Sequence, residues 1–136
     1  MDTQRADLIE RFYEAFSRRD VDAVLDLCHE EVEIYKDPDV VEMVAALTPR
    51  GRERVAQYLN GWFDSWDMYE PQIASLHEAG PDDVVVLIDV RARGRGSQFD
   101  IEERSADVFS FRAGQIVQLR LHASPADALR SAGLEP

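Results

Sequence analysis

An acidic residue precedes two aromatic residues in the last third of the chain. Asp107 alternates with Phe109 and Phe111 in a strand-like stretch, so the three side chains should share one face. Two aromatic neighbours indicate that this face is the interior, where desolvation raises the pKa of a carboxyl group and suits it to proton transfer. The alternative is an aspartate that is hydrogen-bonded in the core or lies at a wet pocket rim.

A second carboxyl group, Asp37, follows the strand-like segment Val32–Lys36 and precedes Pro38. Two carboxylates in one apolar cavity would have pKa values pushed apart, and that difference separates the acid role from the base role. The competing interpretation is that the Asp-Pro step only begins a turn. Asp37 is therefore the second catalytic candidate.

The histidines do not form a metal-binding pattern. No two of His29, His77 and His122 have metal-ligand spacing on one element, and no Cys-x-x-Cys pattern occurs, so we predict no metal site. Strict alternation places His122 outside the cavity, although a β-bulge would reverse this, and it stays a candidate general base. No nucleophile motif is present, so any catalysis is expected to be acid–base chemistry without a cofactor.

Aromatic residues recur along a predicted helix, Arg52–Asp67. Tyr58, Trp62 and Trp66 fall on its apolar face, and Tyr35 lies in the strand-like segment before it. Such side chains can line a pocket for a flat apolar ligand, but helical aromatics are more often part of the core. We expect at least one of them to do both.

The composition describes one acidic domain spanning residues 1–136. The chain has the usual size of a single domain, and 45% of its residues are hydrophobic. The net charge of −12 argues against nucleic acid or an anionic membrane as a partner, because both require basic surfaces. No apolar run reaches membrane-spanning length, and residues 1–6 lack the apolar stretch of a signal peptide, so we expect a cytoplasmic protein.

Hydrophobic periodicity predicts helices first and strands later. Hairpin-connected strands that follow N-terminal helices favour an α+β fold with an antiparallel sheet curled around the helices. Residues 40–47 are compatible with a short helix or an irregular lid. The predicted helices span 3–18, 21–28, 52–67 and a short segment between 124 and 133, and the predicted strands span 32–36, 72–78, 84–93, 99–111 and 115–123.

Five motifs follow one another along nearly the whole chain: Ile9–Asp20, Val32–Pro38, Arg50–Glu53, Ala106–Val117 and Asp127–Leu134. Their order resembles the SnoaL-like branch of the nuclear transport factor 2-like superfamily. The resemblance implies a cone-shaped, cystatin-like α+β barrel, a small-molecule pocket at its open end and, commonly, a homodimer through the sheet. The superfamily includes ketosteroid isomerase, polyketide cyclases, epoxide hydrolases and dehydratases, so it does not fix the reaction.

The resemblance to ketosteroid isomerase implies roles for single residues. Asp107 lies where that enzyme has a protonated oxyanion-hole aspartic acid, and Asp37 matches the proton-shuttling aspartate of a similar Asp-Pro step. Phe12 stands where the oxyanion tyrosine belongs, and phenylalanine cannot donate that hydrogen bond. Tyr13 is turned by about 100° from that position and reaches the cavity only if the helix is rotated. Steroid isomerase activity is therefore not expected.

Asp89 resembles the aspartate of an Arg-x-Asp pair in epoxide hydrolases of this fold, but Leu87 stands where the arginine belongs. Asp89 shares strand parity with Arg91 and Arg93, so we expect a solvated or subunit-facing side with ion pairs. An epoxide hydrolase would require an arginine near Asp89 in space.

Two functions agree with these residues. The first is a cofactor-independent isomerase, cyclase or dehydratase acting on a small, mostly apolar carbonyl or polyketide-like compound, with Asp107, Asp37 and Tyr13 as catalytic candidates. The second is a non-catalytic ligand-binding or dimerisation module on the same fold. The residues expected to contact the ligand are Phe12, Phe16, Tyr35, Tyr58, Trp62, Trp66, Phe109 and Leu119.

Overall fold

The computed structural model describes residues 3–36, 49–122 and 124–135, apart from the side chains of residues 35, 36 and 122. The predictions for Asp37 and for residues 40–47 lie outside the described residues, as do those for the side chains of Tyr35 and His122. Among the described helices, none is long and apolar enough to cross a membrane.

The described chain has the α+β architecture that the sequence predicts, with a curved five-stranded sheet. The strand order is β1-β5-β4-β3-β2. In chain order the elements are α1 (Thr3–Ser17), α2 (Val21–Asp26), β1 (Cys28–Lys36), α3 (Arg52–Asp64), β2 (Trp66–Ala79), β3 (Asp83–Gly94), β4 (Ile101–Arg112), β5 (Gln115–His122) and α4 (Pro125–Ser131).

The sheet is mixed rather than wholly antiparallel. Strands β2 to β5 pair in antiparallel fashion through successive connections, as predicted, but β1 runs parallel to β5. Hairpins fix the relative direction of the strands they join. No hairpin joins β1 to β5, which lie at opposite ends of the sequence, so turn residues carry no information about this pair.

Two strands begin earlier than their sequence pattern indicates. β1 starts at Cys28, which was assigned to the second helix, and β2 starts at Trp66, which was assigned to the third helix. β2 also contains Pro71, which pairs with Val90. Proline is tolerated there because β2 is an edge strand, where a missing N–H need not remove a ladder hydrogen bond.

The two faces of the sheet differ in what covers them. On the inner face, Val84, Val86 and Phe109 pack with Ile9 of α1 in the main core. The opposite, outer face is partly covered by α4, whose buried Ala128 packs against Ala79, Val85, Ala106 and Val108. α4 lies in the predicted segment, and Ser124 caps it by accepting a hydrogen bond from the backbone N–H of Asp127, with proline at its start.

The β4–β5 hairpin fixes which residues face inward near Asp107. Its turn contains Ala113 (φ 53°) and Gly114 (φ 76°), the backbone conformation that a tight hairpin needs. The resulting register pairs Asp107 with Leu121 and Phe109 with Leu119. These side chains therefore lie on one face, directed toward α1.

Candidate functional site

A hollow of about 680 Å³ lies between the helices and the inner face of the sheet. This volume is within the range of small-molecule sites. Aliphatic and aromatic side chains make up most of its wall, and polar groups come from β2, β4 and α4. Its lining comprises Phe12, Tyr13, Phe16, Ile34, Tyr58, Leu59, Trp62, Trp66, Tyr69, Ile88, Val90, Ala92, Ile101, Glu103, Ser105, Asp107, Leu119, Leu121, Asp127, Arg130 and Ser131.

Asp107 lies in this wall and is the one buried charged side chain among the described residues, with 7% of its surface exposed. The hydroxyl of Tyr13 donates a hydrogen bond of 2.6 Å to Oδ2 of Asp107. No arginine, lysine or histidine of the described chain forms an ion pair with this carboxylate. Its charge is therefore stabilised by one hydrogen bond rather than by a cation.

Burial governs the acidity of both groups in this pair. Desolvation raises the pKa of Asp107 to about 7, against which the hydrogen bond from Tyr13 acts in the opposite direction. Burial, followed by the nearby charge of Asp107, raises the pKa of Tyr13 well above its usual value. Near neutral pH, Asp107 therefore exists in both protonation states, while Tyr13 stays a neutral hydrogen-bond donor.

The orientation of α1 brings two successive residues to the site. Phe12 and Tyr13 are both buried, line the hollow and pack edge-to-face with ring centroids 5.3 Å apart. The helix therefore has the rotation that Tyr13 needs to reach the cavity, and Tyr13 supplies a hydroxyl there. That hydroxyl is bonded to Asp107.

Phe109 supports the pair from behind. Its ring is fully buried and packs against Phe12 and Tyr13, with centroids 5.1 and 5.8 Å away. Phe109 is not part of the lining of the hollow, unlike the other predicted contact residues whose side chains are described. Those are Phe12, Phe16, Tyr58, Trp62, Trp66 and Leu119.

Six polar lining residues are not among the predicted site residues: Tyr69, Glu103, Ser105, Asp127, Arg130 and Ser131. Tyr69 lies between the predicted end of the third helix at Asp67 and the predicted start of the next strand at residue 72, so the sequence pattern gives it no orientation. Glu103 and Ser105 share the strand parity of Asp107, and this alternation was the signal that could have found them. Burial raises the pKa of Tyr69, with the charges of Asp107 and Glu103 adding to the effect, so its hydroxyl also stays protonated.

Asp89 lies outside the hollow, on the outer face of β3. Arg104 donates two hydrogen bonds of 2.8 and 3.0 Å to its carboxylate, and about half of each side chain is exposed. An arginine therefore does contact Asp89, but the pair faces away from the hollow, so it is not part of the candidate site. The solvated ion pair predicted for this side is present.

The described residues contain no cluster of three or more His, Cys, Asp or Glu side chains that could hold a metal ion. His29 accepts a hydrogen bond from the backbone N–H of Glu31, and His77 is hydrogen-bonded to Ser75. Neither histidine lines the hollow. The ionisable side chains that line the hollow are those of Asp107, Glu103, Asp127, Arg130, Tyr13, Tyr58 and Tyr69.

The fold is similar to several solved structures. A nuclear transport factor 2-like protein of unknown function from Burkholderia pseudomallei matches with a TM-score of 0.75 and 22% identity, covering 95% of this chain and 97% of its own. A proposed SnoaL-like polyketide cyclase from Jannaschia sp. matches with a TM-score of 0.76 and 14% identity over 99% and 95%. A hypothetical protein with the ketosteroid isomerase-like fold from Catenulispora acidiphila, solved with trimethylamine, matches with 0.71 and 16% over 93% and 92%.

At these identities the structures establish the fold alone. No functionally curated protein matches the chain significantly in sequence. The family model of the SnoaL-like domain, however, matches residues 9–119, which is most of the chain. The chain therefore belongs to the SnoaL-like domain family.

Proposed function

We propose that the hollow binds a small, mostly apolar carbonyl or polyketide-like compound and that Asp107 transfers a proton within it. The observation that carries this proposal is the buried carboxyl group of Asp107, held by Tyr13 at 2.6 Å, in the wall of a 680 Å³ hollow. A carboxyl group whose pKa is about 7 can both remove and return a proton near neutral pH. The reaction class is isomerisation, aldol-type cyclisation or dehydration.

One carboxyl group can remove and return the proton that such a reaction transfers. The carboxylate of Asp107 removes a proton from the carbon next to the substrate carbonyl, which leaves an enolate. The protonated Asp107 then returns that proton to carbon or oxygen, so no oxidant or cofactor is consumed. Tyr69 lines the hollow, has no hydrogen-bond partner among the described residues and keeps its proton, so its hydroxyl is the proposed donor to the enolate oxygen. Asp37 as a second carboxyl group stays a prediction.

A non-catalytic ligand-binding module is the second candidate. This function is favoured because the Tyr13 hydroxyl donates its hydrogen bond to Asp107 and is therefore not free to donate to a ligand in the hollow. Position 12, where ketosteroid isomerase has its tyrosine, carries a phenylalanine. On this alternative the aspartate–tyrosine pair is a buried structural hydrogen bond.

Deuterium exchange separates the two candidates without knowledge of the natural substrate. We expect the protein to accelerate exchange of the acidic protons of 2-tetralone in D₂O, followed by NMR, and Asp107→Asn to abolish the acceleration. Binding is measured in parallel by tryptophan fluorescence, since both tryptophans of the chain line the hollow. Retained binding with lost exchange supports catalysis, whereas equal exchange by both proteins contradicts it.

The homodimer through the sheet and the cytoplasmic location also stay predictions. Light scattering measures the mass directly, and a monomer at micromolar concentration would exclude this interface.

A further inference from the structure

Three aromatic rings form a corner in the wall of the hollow. Trp62 of α3 and Trp66 and Tyr69 of β2 have ring centroids 5.8, 5.5 and 5.4 Å apart, pair by pair. The rings are inclined to one another by 53°, 79° and 52°, so they do not stack. A group about 4–5 Å above the three centroids would lie within the roughly 6 Å range of all three rings at once.

The indoles present carbon rather than N–H groups to the hollow. Nε1 of both Trp62 and Trp66 is shielded from solvent and has no hydrogen-bond partner among the described residues, although both side chains line the hollow. The accessible surface of each indole is therefore carbon and offers no N–H donor to an anion. The face of an aromatic ring attracts cations through its negative potential.

A carboxylate lies next to this corner. Glu103 of β4 lines the hollow on the same face as Asp107, and its charge acts on the Tyr69 hydroxyl. Glu103 forms no ion pair with any described residue. The one arginine in the lining, Arg130, is paired with Asp127 at 3.4 Å. The wall near the corner thus carries an unpaired negative charge.

We propose that the aromatic corner and Glu103 form a subsite for a cationic nitrogen, an ammonium or N-alkylated ammonium group, on the ligand. This inference rests on the proposed function of the hollow as a small-molecule site, and it narrows the substrate class to amine-bearing carbonyl compounds. Glu103 and Asp107 are four positions apart on one face of β4, so their Cα atoms are about 13 Å apart. The charges of both residues act on Tyr69, which therefore lies beside both the cation subsite and the proposed reaction site.

The test compares two compounds of the same shape that differ in charge, choline and 3,3-dimethylbutan-1-ol. Fluorescence of the two tryptophans reports on binding, because both residues belong to the corner. We expect choline to bind the intact protein at least tenfold more tightly than the neutral alcohol. Glu103→Gln should reduce this preference several-fold and leave the affinity for the neutral alcohol unchanged.

Glu102→Gln is the matched control, since Glu102 is the neighbouring residue on the outer face, near Arg91. It removes the same charge and should leave the preference intact. Equal affinities for both compounds, no binding of either, or equal effects of the two glutamate substitutions would each overturn the subsite. None of these outcomes bears on exchange of 2-tetralone by Asp107. Conversely, absent exchange together with a choline preference would overturn the proposed reaction alone.

Discussion

Asp89 and Asp107 lie on neighbouring strands but in opposite electrostatic environments. On the outer face, Asp89 is about half exposed and bound by two hydrogen bonds from Arg104, which lower its pKa. On the inner face, Asp107 is buried, has no cationic partner among the described residues and receives one hydrogen bond from Tyr13. Its pKa rises to about 7, mainly because burial penalises the charged form.

The difference shows that the sheet face on which an aspartate lies, rather than its residue type, determines its pKa and its capacity for proton transfer. An exposed ion pair contributes little to stability and keeps its carboxylate charged at every physiological pH. A carboxyl group that is buried without a cationic partner lowers the stability of the folded state when it is ionised. It can, however, exchange its proton near neutral pH. Asp107 therefore has the features of a functional residue, and Asp89 those of a surface residue.

The largest difference is expected in proton transfer. Asp107→Asn should slow the protein-catalysed exchange of 2-tetralone by roughly 10²- to 10⁴-fold, because the amide cannot act as an acid or base. Asp89→Asn, measured by the same NMR assay, should leave the rate unchanged. Equal losses in both variants would show that the two faces do not differ in this way.

The next largest effect concerns stability and its pH dependence. Because the pKa of Asp107 is raised from 3.8 to about 7, the folded state holds an additional proton between these values. Stability is therefore highest below about pH 4 with respect to this group and declines as pH rises toward 7. Asp107→Asn removes this decline. The difference in free energy of unfolding between the variant and the natural chain should therefore shift in favour of the variant, by at most about 4 kcal/mol between pH 4 and pH 8.

Urea denaturation at about pH 5 and pH 8 covers the upper two pH units of this change, for which we expect at most about 3 kcal/mol. The same measurement on Asp89→Asn should show no such gain on raising the pH, since the Asp89 pKa is shifted in the opposite direction. A parallel pH dependence of the natural chain and Asp107→Asn would mean that Asp107 titrates normally.

A smaller effect is expected from Tyr13→Phe. The hydrogen bond from Tyr13 lowers the pKa of Asp107, so its removal should raise that pKa further. The midpoint of the pH–rate profile for 2-tetralone exchange should move to higher pH. Tyr58→Phe is the control, because Tyr58 also lines the hollow but has no hydrogen bond to Asp107. Equal profiles for Tyr13→Phe and the natural chain would contradict a functional link.

The smallest effect is expected on the outer face. Asp89→Asn should change the melting temperature only slightly, and less at high salt, because the Arg104 partner is solvated. Calorimetry at low and high ionic strength measures this change. A large, salt-independent loss would mean that the pair is structural.

Sequence reasoning reached the features that depend on local periodicity. The alternation of Asp107 with Phe109, the strands on either side of residues 112–114 and the short helix after residue 124 are all short-range patterns, and each is present. Ion pairing of Asp89 on the outer face followed from the same alternation. The α+β class follows from the order of these elements.

Features that depend on packing between distant segments were not accessible. The contact between Tyr13 and Asp107 joins residues 94 positions apart and depends on the rotation of α1. The parallel pairing of β1 with β5 involves no turn. The early start of β2 at Trp66, which brings Tyr69 into the wall, overrides a helical pattern that continues past Asp64.

Carbon-13 NMR titration of the side-chain carboxyl groups measures directly whether the pKa values of Asp107 and Asp89 are shifted in opposite directions. With the Asp107 and Asp89 resonances assigned through their asparagine variants, both can be followed in one sample. We expect a midpoint near pH 7 for Asp107 and one below the usual aspartate value for Asp89. A midpoint near pH 4 for Asp107 would contradict it, since that carboxyl group would then be solvated or paired.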